Sequence, residues 1–256
     1  MIGYYDPIEQ AGYVTFADEA PSTLLSTVLD SQYAVEIIRL INLRRKSAGI
    51  LPLMDSHILI KAAQAHNEYM RDNSCFAHQC PREPPPERRV CLAGFRPYGR
   101  LCSVGEVIAA GYPSPESVVT AWMNSPGHYA VLMHSKMREI GVDHTVGGYY
   151  QRYWTADLGS QPNKLYVFIN DDDPVTESRS VTLTMTNELI RNSVGINYAR
   201  DVMISNDPSF AGADWETYVP QKTWMLTDGK GPKTVYVKYR DPTGNKVLSG
   251  DIIFLK

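Results

Sequence analysis

The period of the apolar positions changes twice along this 256-residue chain. Between residues 33 and 46, Val35, Ile37, Ile38, Leu40 and Ile41 recur at helical spacing. Arg39, Arg44, Arg45 and Lys46 fall on the other face, which predicts a wet side. Gly49 and Pro52 end that helix. Asp55 or Ser56 can cap a second helix, with Leu59, Ala62, Ala63, His66 and Met70 on one stripe. Residues 79–102 show no period and read as a long irregular loop, because Pro84, Pro85 and Pro86 cannot lie in a helix interior. Ser114 before Pro115 predicts a third helix through Trp122. Ser125 before Pro126 predicts a fourth, with His128 in its first turn. Over residues 140–146 and 149–158 the period becomes two, and Gly147-Gly148 between them predicts a type I′ hairpin.

After residue 160 the text is all β. Residues 164–170, 180–186, 202–205, 222–226, 234–240 and 251–255 read as short strands between turn signals, a count that suggests an antiparallel sandwich. Asp171, Asp172 and Asp173 read as a solvated linker, with calcium binding as the sharper alternative. Residues 1–30 carry no clear period and read as an arm. The expected layout is therefore an N-terminal arm (1–30), a mixed domain (31–160), a linker (161–173) and a β-sandwich (174–256).

Charge adds little: 25 Lys and Arg stand against 28 Asp and Glu. No basic patch points to nucleic acid, and no apolar run reaches the length of a membrane span. Cys and His change the picture more. Cys75, Cys80, Cys91, Cys102 and all six His lie before residue 160. Four Cys so close together predict two disulfides and an oxidising compartment. A zinc cluster is the competing reading, weakened by the lack of a Cys-x-x-Cys pair. Three pairings are possible. Cys80–Cys102 with Cys75–Cys91 would brace the loop before Glu106. Residues 1–19 show no basic start followed by an apolar core, so no signal peptide is expected in this numbering. A mature start, non-standard export or release on a virus particle would each account for that.

Three words carry the candidate chemistry: Phe76-Ala77-His78, Gly105-Glu106-Val107 through Tyr112, and Trp122-Met123-Asn124-Ser125-Pro126-Gly127-His128. With Ala63-Gln64-Ala65-His66-Asn67-Glu68-Tyr69-Met70, Arg138-Glu139-Ile140-Gly141-Val142 and Tyr153-Trp154-Thr155-Ala156-Asp157-Leu158-Gly159, they resemble the CAP superfamily of cysteine-rich secretory, antigen 5 and pathogenesis-related 1 proteins. The likeness is to the bacterial secreted branch and covers roughly residues 33–160. It implies an α+β chain in which a three-layer α-β-α sandwich comes first. The later segments Val202-Met203-Ile204-Ser205-Asn206-Asp207, Trp215-Glu216-Thr217-Tyr218 and Lys233 through Asn245 resemble immunoglobulin-like modules appended to bacterial and phage surface proteins. They imply an all-β immunoglobulin-like sandwich without the antibody Cys pair.

The CAP resemblance implies a cleft lined by His78, Glu106 and His128, in which His78 and His128 hold zinc or another divalent cation. Two departures bear on this. Val107 replaces the usual Asn after the cleft Glu, and Ser125 stands where many members carry a second Glu. Taken without the resemblance, His66 reads as a packed core histidine, and His57, His134 and His144 as surface or loop residues. Trp122, Trp154, Tyr112, Tyr149, Tyr150 and Tyr153 read mainly as packing, though some could face a lipid or glycan groove. Neither Ser103 nor Ser125 sits in a nucleophile elbow.

The expected function is an extracellular or cell-surface binding module. Its cleft takes an unknown lipid, peptide or glycan, and its β-sandwich attaches to a surface or assembly protein. One alternative is a metal-assisted hydrolase of peptide or ester bonds with Glu106 as base. The other is a structural component of a virion or surface assembly.

Overall fold

The computed structural model describes residues 21–95, 104–161, 164–187 and 198–256. Residues 1–20 and Cys102 lie outside them, so the expectation for the first part of the arm is left where the sequence put it. The chain divides into two compact units between Gln161 and Pro162.

The first unit is built on a four-stranded sheet. Its strands are β1 (Met54–Asp55), β2 (Gly105–Ala110), β3 (Glu139–Val146) and β4 (Arg152–Gly159), in the order β1-β3-β4-β2. β1 runs parallel to β3, and the other pairs are antiparallel. Five helices accompany it: α1 (Pro21–Ser47), α2 (His57–Asp72), α3 (Pro86–Leu92), α4 (Pro115–Asn124) and α5 (Pro126–Leu132). α1 starts ten residues before the expected beginning of this domain.

Period-2 alternation sorts the sheet residues into two layers. Val107, Ala109, Ile140, Val142, Trp154, Ala156 and Leu158 pack with Ile37 and Ile41 of α1 and with Val118, Val119 and Trp122 of α4. Their sequence neighbours on the opposite face meet α2, where Ile108 and Tyr153 join Met70. The approach of α2 is close enough that a Cβ on Gly141 would overlap the Leu59 and Ile60 backbone. Helix, sheet and helix thus form the expected three layers.

Several local expectations change. Residues 79–102 are not all irregular, because Pro86 opens α3 at its first position, where proline's missing N–H costs nothing. β2, which carries Glu106, was not expected as a strand. The β3–β4 hairpin is present, but its loop takes five residues. Gly147 N–H donates to Gln151 O at 2.9 Å, and Gly147, Gly148 and Gln151 all have positive φ. Arg45 is not on a wet face. It is fully buried and donates to the carbonyls of Leu51, Leu132, His134 and Met137. A guanidinium suits that place because its fork satisfies several acceptors at once. Burial, then the neighbouring Arg138 charge, lowers its pKa to about 10. His144 is also buried, its ring tilted 33° against that of Trp154 with the centroids 4.0 Å apart.

The second unit contains two sheets. One has the order β10 (Gln221–Met225), β7 (Ser180–Met185), β5 (Val167–Ile169). The other has the order β6 (Val175–Thr176), β12 (Lys246–Leu255), β11 (Gly231–Arg240), β8 (Asp201–Ser205), β9 (Glu216–Thr217). Val167, Ile169, Val181 and Leu183 from the first share one apolar core with Val202, Ile204, Val235, Val237, Tyr239 and Ile253 from the second. β5 lies within 164–170, which reads as a strand in the sequence although the expected linker spans 161–173, and Asn170, Asp171 and Asp172 after it all have positive φ.

Candidate functional site

Glu106, the second residue of β2, points to the α2 face and is 9% exposed. His78 lies in the loop between α2 and α3. That loop is closed by a Cys75–Cys80 disulfide, with the Cα atoms 6.0 Å apart. The pairing Cys80–Cys102 with Cys75–Cys91 is therefore overturned: the loop turns back on itself within five residues and brings its own two thiols together. Cys91 is disulfide-bonded as well.

The His78 and Glu106 side chains meet. His78 Nδ1–H donates to Glu106 Oε1 at 2.7 Å, which leaves the other ring nitrogen, Nε2, as the acceptor in the neutral ring. The ring is half exposed. The second Glu106 oxygen accepts from Arg89 Nη2 on α3. Arg89 Nη1 donates at 2.8 Å to the carbonyl of His78 itself and at 2.9 Å to Pro84 O. One buried guanidinium thus holds both the carboxylate and the backbone of the histidine it orients.

Behind this pair lies a buried polar tier. His66 of α2 donates from Nδ1 to Glu83 Oε1 at 2.8 Å, and its Nε2 stands 3.9 Å from Glu106 Oε1. Glu83 Oε2 is 3.5 Å from Arg89 Nη1. Asp157 of β4 is the cross-strand partner of Glu106 and has no exposure. His66 is thus a core histidine, as expected, but one wired to carboxylates. Asn67 beside it pins α2 to the sheet by donating to Asp143 and Tyr153 O and accepting from Thr155 Oγ1 at 2.6 Å.

His128 enters from the first turn of α5, where Ser125 and Pro126 place it. Its Nδ1 is buried without a hydrogen-bond partner among the described residues. Burial, then the nearby His78, lowers its pKa and keeps the imidazole neutral. Burial raises the Glu106 carboxyl, but the His78 hydrogen bond and the Arg89, His66 and His78 charges outweigh it, so the group stays ionised below its ordinary value. Burial also lowers His66.

The structure thus joins His78 to Glu106 and sets His128 within electrostatic reach of His78. It also adds Arg89, Glu83 and Asp157, which sequence reasoning did not select. Asp157 lay inside a quoted word without a role. Glu83 and Arg89 sat in the stretch read as irregular. Among the described residues no group of three His, Cys, Asp or Glu side chains could hold a metal ion.

His78 and Glu106 thus meet beside the α2 face of the sheet, with His128 within electrostatic reach. Residues 38–158 match the model of the CAP family, described as the cysteine-rich secretory protein family. The chain is similar to the uncharacterized protein YkwD of Bacillus subtilis (strain 168), with 32% identity over 142 residues, covering 56% of this chain and 52% of that protein. It is also similar to the uncharacterized membrane protein YlbC of the same bacterium, with 26% identity over 123 residues, covering 48% of this chain and 33% of that protein. It therefore spans about half the length of the first relative and a third of the second. Among solved structures, it resembles an extracellular protein containing a SCP domain from Bacillus anthracis str. Ames, with a TM-score of 0.48, 21% identity, and coverage of 57% of this chain and 45% of that one. An outer surface protein from Borrelia burgdorferi matches with a TM-score of 0.44 and 20% identity, covering 57% of this chain and 99% of that one.

Proposed function

We propose that this chain is an extracellular binding module whose CAP cleft holds a divalent cation, such as zinc, between His78 and His128, together with an organic ligand. The observation that carries this reading is the His78–Glu106 bond. A carboxylate on Nδ1 fixes the tautomer and leaves the Nε2 lone pair free, the arrangement that orients metal-binding histidines. His128, held neutral, supplies a second imidazole. Two nitrogens leave positions for water or ligand, so binding is weak and open. Both Glu106 oxygens are engaged, by His78 and Arg89, which favours a role in orientation over that of a general base.

Disulfide bonding at Cys75, Cys80 and Cys91 supports an oxidising location. No helix among the described residues is long and apolar enough to cross a membrane. The second unit, two sheets over one core, is read as an immunoglobulin-like module that attaches the cleft to a surface or partner protein.

Zinc calorimetry on the wild type, His78→Ala and His128→Ala tests the site. The wild type should give a saturable heat that either substitution abolishes. Equal heats in all three would remove the cation from this reading. Binding should also weaken as pH falls through the histidine range, since a ligating nitrogen cannot hold a proton.

A further inference from the structure

Asp157 is the least explained side chain of the buried tier. It is fully buried, and neither carboxyl oxygen accepts a hydrogen bond from a donor among the described residues. Such a carboxylate would be costly, because desolvation of an ion is offset only by donors. The groups around it offer few. Glu106 comes from β2, Glu83 and His78 from the loop after α2, His66 from α2 itself and Arg89 from α3. The Arg89 Nη groups are taken by Glu106, Glu83, His78 O and Pro84 O, and its Nε–H, though unpartnered, reaches neither Asp157 oxygen. His66 Nδ1–H is spent on Glu83, and its Nε2 is an acceptor in the neutral ring. With Asp157 ionised, three carboxylates would face one guanidinium.

A carboxylic acid resolves this. Glu106 accepts one bond on each oxygen, and a carboxylate has about four acceptor positions. Asp157 stands directly across the strand pair from it. We infer that Asp157 carries a proton at neutral pH and donates it to the Glu106 carboxylate. It thereby acts as a positioning residue that holds Glu106 against His78. Burial, then the Glu106 charge, pushes the Asp157 carboxyl well above its ordinary range, in agreement with the geometry. The inference does not depend on whether a cation binds at His78 and His128.

Carboxyl 13C NMR on the full chain with labelled Asp reads the proton directly. At neutral pH one Asp resonance should lie at the protonated position and vanish in Asp157→Asn. If every Asp resonance lies at the carboxylate position, the inference is wrong. Stability against pH gives a second reading. A carboxyl whose folded pKa is raised contributes stability that is present below its unfolded value of 3.8 and lost as pH rises. Between about pH 4 and pH 8 the difference between Asp157→Asn and the wild type should therefore move in favour of the variant. Movement the other way would mean an ionised Asp157 supported by Arg89, and would overturn the proton.

The positioning role has its own readout. Asn keeps a donor toward Glu106, whereas Leu removes it. The His78 side-chain 15N signals should stay in place in Asp157→Asn and shift in Asp157→Leu. Unchanged His78 signals in a folded Asp157→Leu protein, or shifted signals in Asp157→Asn, would overturn the positioning role. If Asp157→Leu does not fold, the Asn variant decides.

Discussion

The two faces of the sheet in the first unit are made from the same strands yet do different work. Toward α1 and α4, β2 and β4 present Val107, Ala109, Trp154, Ala156 and Leu158, which join a continuous apolar core. Toward α2 they present Glu106, bonded to Arg89 and His78, Thr155, bonded to Asn67, and the buried Asp157. Both faces are buried, so burial alone does not tell them apart. The side-chain period does, because residues one apart along a strand point to opposite layers. Stability by packing and chemistry by polar contacts are therefore interleaved along one sequence and separated in space.

The largest expected effect is on the apolar face. Trp154→Ala should cost about 3–5 kcal/mol, since it empties a fully buried indole site and removes the Nε1–H bond to Tyr112 O. Urea unfolding would measure this, and a loss below about 1 kcal/mol would break the division of labour between the faces. The folded fraction of this variant should still show the His78 signals of the wild type.

On the polar face, Arg89→Met should cost about 3 kcal/mol at neutral pH, because Glu83 and Glu106 are left buried without their cation. Unlike the tryptophan change, this loss should shrink in acid as Glu106 protonates. A pH-independent loss in the urea midpoint would show that Arg89 acts through packing alone.

The smallest effect is the acid response. The folded-state pKa of His66 is depressed by burial, so its stabilising contribution is present above the unfolded value of 6.5 and lost as pH falls through the lower folded one. His128 adds to the same slope. Glu106, also depressed, begins to contribute a loss only below 4.5. Asp157, with its raised carboxyl, slopes the other way in both proteins, so the difference between them is the reading: as pH falls from neutral toward pH 5, the thermal midpoint of His66→Gln should rise relative to the wild type. A relative fall in the variant would remove His66 from this account.

The parts of the fold that rest on local signals were open to reading from the sequence. α5 starts where Ser125 and Pro126 say it should, and the stripe Leu59, Ala62, Ala63, His66 and Met70 is the buried side of α2. The CAP words placed His78, Glu106 and His128 on a common list. What stayed hidden depends on long-range geometry. Arg45 looks like one basic residue among four, and only carbonyls 87 to 92 positions away make it a core residue. Arg89 and Glu83 lie in a proline-rich stretch with no period to expose α3. The signal available there was Pro86 itself, which suits a first helical turn as well as it forbids an interior. Asp157 could be read as polar but not as protonated, because that follows from which carboxylate lies across the strand pair.

Gly141 has a mechanical consequence. At this position α2 rests on the main chain of β3, with no room for even a methyl group between them. Backbone against backbone has no rotamer through which to relax, so the helix cannot move closer to the sheet or slide along it by repacking a side chain. His66 and Asn67 ride on that helix and therefore form a stiff wall. His78 instead sits on the short stapled loop beyond the end of α2, with an exposed ring. That loop is held by side chains rather than by main chain, the Cys75–Cys80 bond and the Arg89 guanidinium on the His78 carbonyl, and side chains have torsions through which to adjust.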